Sequence, residues 1–76
     1  MNNIRRKKIA KLYEEIEVIK SLLEEIQEEE QEAFDNIPEN LDGTERYEKA
    51  EQAVDNLDSA VSSIEEALEY LEYAQE

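Results

Sequence analysis

Apolar residues recur along the chain in two runs whose steps alternate between three and four. Ile9, Leu12, Ile16, Ile19, Leu23 and Ile26 form the first, which continues in phase through Glu30 and Ala33. Tyr47, Ala50, Val54, Leu57, Val61, Ile64, Leu68 and Leu71 form the second. That spacing is the a/d pattern of a helix that buries one stripe against another helix. It predicts an all-α fold in one domain over residues 1–76, with a first helix over about 3–35, a turn over about 36–43 and a second helix over about 44–75.

The turn has its own chemistry. The only proline, Pro38, and the only glycine, Gly43, both fall between the two runs. Pro38 disfavours helical geometry at Ile37, so the first helix is expected to end near Asp35 or Asn36. Gly43 and Asn40 tolerate positive φ, Thr44 is a good N-cap, and Glu45 places negative charge at the positive end of the second helix.

A reversal about Asn40 aligns the seams layer by layer. It sets Ile9 against Leu71, Leu12 against Leu68, Ile16 against Ile64 and Ile19 against Val61. Leu23 then meets Leu57, Ile26 meets Val54, Glu30 meets Ala50 and Ala33 meets Tyr47. Each a position meets a d position, as in an antiparallel coiled-coil hairpin. Beside the second seam, Ala53, Ala60, Ala67 and Ala74 repeat every seventh residue, while Val18 and Leu22 widen the first helix. A two-helix hairpin cannot cover both stripes, so these six residues are read as self-association positions that pair hairpins into a homodimeric four-helix bundle. The plainer reading of the alanines is helix propensity alone.

Charge changes the picture next. The chain carries a net charge of −14, with residues 1–20 at +3 and residues 21–76 at −17. An acidic surface of that kind repels nucleic-acid phosphates, so the expected partner is a protein with a basic surface. The basic tip of Arg5, Arg6, Lys7, Lys8 and Lys11 is expected alongside Glu69, Glu72 and Glu76 at the acidic end. A core this small is marginal alone, and with no cysteine there is no disulfide or thiolate site to reinforce it. No stretch reads as a secretory signal or a membrane span, and a cytoplasmic protein is the expectation.

Conventional catalysis finds few residues here. The chain has no His, Cys or Trp, so Ser21, Ser59, Ser62 and Ser63 lack an imidazole to activate them, and Glu-x-x-His di-iron pairs cannot form. A calcium loop with Gly43 at its sixth position would put Pro38 first and Lys49 twelfth, where carboxylates are needed, even with Asn40 and Asp42 suitably spaced. No Gly-rich phosphate loop is present. The expectation is a non-enzymatic protein with no cofactor, no catalytic residue and no metal ligand.

Partner-binding candidates remain. Glu25, Glu28, Glu29 and Glu32 lie in the acidic run of the first helix, which could present carboxylates in the manner of a row of phosphates or serve only as a solvated face. Asp35 and Asn36 belong to a loop that could be a recognition tip or mere turn chemistry. Tyr70 and Tyr73 fall off the seam, as interface anchors or as positions that a second subunit covers.

The run from Glu30 to Glu39, "EQEAFDNIPE", is followed by Thr44, Glu45 and Arg46, with Asp55, Asn56 and Leu57 beyond. It resembles a family of short, acidic, two-helix proteins of phages, prophages and Gram-positive bacteria with the core E-Q-E-A-[FY]-D-N-[ILM]-P-E. Tyr47 stands where many relatives carry Gly. The resemblance covers under half of the chain and implies no activity. It implies a context, in which a phage-encoded accessory protein acts on a host protein in the host cytoplasm. Two readings result: an inhibitor that occupies a basic surface of a host defence or nucleic-acid-binding protein, or a self-assembling bundle that acts as a scaffold.

Overall fold

The computed structural model describes residues 1–41 and 43–76. Two helices, α1 (Asn3–Asp35) and α2 (Glu45–Ala74), fold back on each other as an antiparallel hairpin 59 Å long and only 15 by 13 Å across. A single turn of 3-10 helix, Glu39–Leu41, lies in the connection.

Each helix start is capped by the residue before it. The Asn2 Oδ1 accepts from the Arg5 amide at 2.8 Å, and the Thr44 Oγ1 accepts from the Tyr47 amide at 3.3 Å. Both satisfy amides that have no partner within their own helix. The Thr44 hydroxyl also donates to the Leu41 carbonyl at 2.6 Å, locking the cap onto the 3-10 turn. Shortly past the end of α1 comes Pro38, and its carbonyl accepts from the Leu41 amide at 2.9 Å. Gly43 takes the left-handed conformation, with φ of +79°, while Asn40 does not. Asp42, invoked in the calcium-loop reading, lies outside the described residues.

The second seam packs as its heptads require. Val54, Val61 and Leu68 form the buried core, each 7% exposed, flanked by half-buried Tyr47, Ala50, Leu57, Ile64 and Leu71. Burying a Val or Leu side chain contributes roughly 1.5–3 kcal/mol, so these three residues carry much of the hairpin's cohesion.

The first seam is rotated from the expected one. Ile9, Ile16, Leu23 and Glu30 face α2 as anticipated, but their companions in the interface are Tyr13, Lys20, Gln27 and Phe34. Leu12, Ile19 and Ile26 are 51%, 55% and 51% exposed, and Ala33 is exposed too. The layers that set Leu12, Ile19, Ile26 and Ala33 against α2 are therefore not formed. The contacts that win are specific. Phe34 packs on Tyr47 with ring centroids 5.0 Å apart and planes tilted by 42°, the Lys20 Nζ reaches Glu65 at 3.3 Å, and the Gln27 side-chain amide donates to Asp58. An aromatic pair at this separation adds ~0.5–1.5 kcal/mol beyond its burial, which favours this rotation of α1 at the turn end.

Candidate functional site

These contacts give the hairpin two unlike sides. Lys20 and Gln27 of α1 meet Glu65 and Asp58 of α2, which belong to a heptad column of acids, Glu51, Asp58, Glu65 and Glu72. In an antiparallel pair, flank faces like flank. The other flank of α1, with Leu12, Ile19 and Ile26, therefore shares the opposite side with the other flank of α2, the column Ala53, Ala60, Ala67 and Ala74. Ala53 and Ala60 are half-buried, while Ala67 and Ala74 are exposed. One side of the rod is acidic and the other is apolar.

On the acidic side a shallow groove of about 380 Å³ is lined by Gln27, Glu28, Gln31, Glu32, Asp35 and Asp58. It gathers three of the predicted partner-binding residues, Glu28, Glu32 and Asp35, and adds Asp58 from α2. The Gln31 side-chain amide donates to Asp35 at 2.9 Å, which orders the carboxylate near the end of α1. Little neutralises this side. Among the described residues, Lys20 is the one cation within 4 Å of a carboxylate across the helices, since Lys49 pairs with Glu45 along α2 itself at 2.9 Å.

Glu25 and Glu29 do not join that groove. They flank the exposed apolar stripe of α1, next to Val18 and Leu22, which are 61% and 55% exposed. The structure thus divides the acidic run between two sides. Sequence reasoning missed Gln27, Gln31 and Asp58, although the recurrence of Glu51, Asp58, Glu65 and Glu72 at every seventh position was a visible signal.

Asn36 closes α1, its amide donating to the Glu32 carbonyl at 3.1 Å. Tyr70 and Tyr73 stay exposed in the hairpin. The Tyr73 hydroxyl donates to Glu69 Oε1 at 2.9 Å; that bond, together with the Glu69 charge, raises the phenol above its ordinary 10.0.

At the far end, Arg6 does not pair with Glu69 or Glu72. Its Nε donates to the Gln75 main-chain oxygen at 3.0 Å, and an Nη to that of Glu76 at 3.5 Å, placing a cation at the negative end of α2. The basic tip thus lies alongside the end of α2 as expected, but among the described residues Arg5, Lys7, Lys8 and Lys11 have no carboxylate within 4 Å, and no side-chain ion pair joins the tip to Glu69, Glu72 or Glu76. Among the described residues, no group of three or more acidic side chains is arranged to hold a metal ion, and no helix is long and apolar enough to cross a membrane. No family model matches the chain, and neither a curated protein nor a solved structure matches it.

Proposed function

We propose that the chain is a non-enzymatic binding module that uses its acidic side to occupy a basic surface of another protein. The observation that carries this reading is the uncompensated groove. Glu28, Glu32, Asp35 and Asp58 converge on it, with Lys20 the single cross-helix cation near that side among the described residues. Carboxylates on a rigid rod attract a basic groove over roughly 8–10 Å at physiological salt, and the helical scaffold spares the ordering cost that a flexible acidic tail would bear. The resemblance of "EQEAFDNIPE" to small phage and prophage proteins supports a host nucleic-acid-binding or defence protein as the target, with the module acting as an inhibitor.

The test uses the variant Glu28→Gln, Glu32→Gln, Asp35→Asn, Asp58→Asn, which keeps side-chain size and removes charge. Immobilised wild-type protein in a bacterial lysate is expected to retain basic proteins that elute as salt rises and that duplex DNA displaces. Retention unchanged in the variant would reduce the charge to a solubilising role.

A second reading, a self-assembling bundle or scaffold, is favoured by the other side of the rod. There Leu12, Ile19, Leu22 and Ile26 stand open to solvent.

A further inference from the structure

We infer that the apolar side is the interface with a second copy of this chain, laid antiparallel on the first about a two-fold axis near Val18 and Ile19, so that α1 packs on α1 and α2 on α2. The acidic sides of both copies then face outward, and this inference stands whether or not they bind a partner.

The first argument is the order of charge along the exposed face of α1. Three heptad columns make up that face. One runs Arg5, Leu12, Ile19, Ile26, another Lys8, Glu15, Leu22, Glu29, and the outermost Lys11, Val18, Glu25. Apart from exposed Ile4 at its start and Glu15 in the middle column, the face passes from basic through apolar to acidic. Lys8 and Glu29 are equally far from the point between Val18 and Ile19, Lys11 and Glu25 are centred on Val18, and Leu12 and Ile26 on Ile19. Turning a copy end for end about that level sets Lys8 against the partner's glutamates and Leu12, Val18, Ile19 and Ile26 among their own copies, with Glu15 at the level of the partner's Leu22 at the edge of the apolar centre. An isologous interface requires this self-complementarity, and a parallel pairing would stack like charges.

Arg6 serves the negative end of α2, but the cations of the exposed face have no carboxylate partner inside the hairpin among the described residues. The first turn of α1 holds no acid and its last turn no base, the reverse of what the helix dipole favours. Within the described residues, Lys8 and Lys11 find no carboxylate within 4 Å.

The second argument is the level of the alanines. Ala53, Ala60, Ala67 and Ala74 are centred between Ser63 and Ile64. The Lys20–Glu65 contact at 3.3 Å puts that level within about one helical turn of the axis on α1. One two-fold therefore serves both helices, with the small residues admitting the close approach of α2 to its copy.

The third argument is area. A folded monomer of 8.9 kDa is expected to expose about 4,800 Å², and the hairpin exposes 5889 Å². The excess, on the order of 1,100 Å², accompanies the 59 by 15 by 13 Å rod shape and leaves surface enough for the ~800 Å² that one partner contributes to a stable interface.

The experiment measures the mass of the full chain by sedimentation equilibrium over a hundredfold concentration range. A dimer is expected, and Ile19→Asp, at an exposed site that spares the hairpin core, is expected to give a helical monomer. One chain carrying Lys8→Glu with Lys11→Glu, and another carrying Glu25→Lys with Glu29→Lys, should each self-associate about tenfold more weakly or worse. Mixed together, the two should form a heterodimer in preference to either homodimer. A wild-type monomer throughout the range would overturn the inference, as would a dimer indifferent to Ile19→Asp. Failure of the two charge-swapped chains to prefer each other would overturn the antiparallel arrangement.

Discussion

Replacing Leu68 and Leu12 by alanine, one at a time, separates the observed packing from the one that the heptads alone suggest. Those heptads set the two leucines against each other, and equal partners in a layer lose similar amounts on truncation. In the structure Leu68 is 7% exposed and Leu12 is 51% exposed. A fully enclosed Leu→Ala change costs ~2–5 kcal/mol. In a rod only two helices thick, solvent reaches part of the gap, so Leu68→Ala belongs at the lower end, ~2–3 kcal/mol. Leu12 forfeits about half a side chain of burial and opens no cavity, so its replacement costs ~1 kcal/mol or less in the single hairpin. The assay is urea unfolding followed by helical circular dichroism, at a dilution where the mass is that of one chain. With a slope near 1 kcal/mol per molar for a chain this short, the midpoint falls by roughly 2 M or more for Leu68→Ala and by about 1 M or less for Leu12→Ala. A Leu68→Ala chain already unfolded without urea counts as the larger loss. On the inferred pairing of apolar sides, the Leu12→Ala deficit should grow at hundredfold higher concentration, because association energy would then add to wild type and not to the variant. Equal midpoint shifts at high dilution would refute the rotated seam.

Two further outcomes rest on local geometry. Gly43→Ala places a left-handed φ of +79° on an L side chain whose Cβ meets nothing within 4 Å, so the cost is backbone strain alone, ~1–2 kcal/mol or a fall in Tm of at least ~4 °C. Gly43→Asn should lose clearly less, and identical melting of the two variants would remove φ as the reason for the glycine. Glu69→Ala deletes the acceptor at 2.9 Å from the Tyr73 hydroxyl. Because the bond and the charge favour neutral phenol, the wild-type Tyr73 should ionise above 10.0 and the variant at lower pH, read from phenolate absorbance. Whatever the bond adds to folding is present below the ordinary value and lost as pH climbs through the raised one. An unchanged titration would show that the hydroxyl is not held by Glu69.

The hairpin itself was legible because each of its signals is local. Pro38 and Gly43 stand between two unbroken periodic runs, and Thr44 supplies the side-chain oxygen that caps the second of them. The seam of α2 was legible for a related reason. Val54, Val61 and Leu68 form one column, with alanines on one flank and acids on the other, so only one orientation buries the large side chains.

α1 was legible only by half, because it has more apolar columns than one neighbour can cover. Ile9, Ile16 and Leu23 lie between Leu12, Ile19 and Ile26 on one flank and Tyr13, Lys20, Gln27 and Phe34 on the other. Periodicity fixes the central column but not which flank turns inward, since either choice keeps the alternation of three and four. The decision rests on residues that a hydrophobic count sets aside. Lys20 is the one base in the middle of α1, and Glu65 stands at its level on α2; Gln27 matches Asp58 in the same way, and Phe34 has a ring to meet in Tyr47. Buried apolar area alone would turn Leu12, Ile19 and Ile26 inward. A hairpin that leaves them outside at about half exposure forgoes that gain, which the pairing inferred above would recover. The acidic side was harder to read for a complementary reason. Glu25, Glu28, Glu29 and Glu32 look like one run in the sequence, but a helix turns about 100° per residue and deals them to different sides. Only cross-helix neighbours such as Asp58 reveal which of those carboxylates belong together.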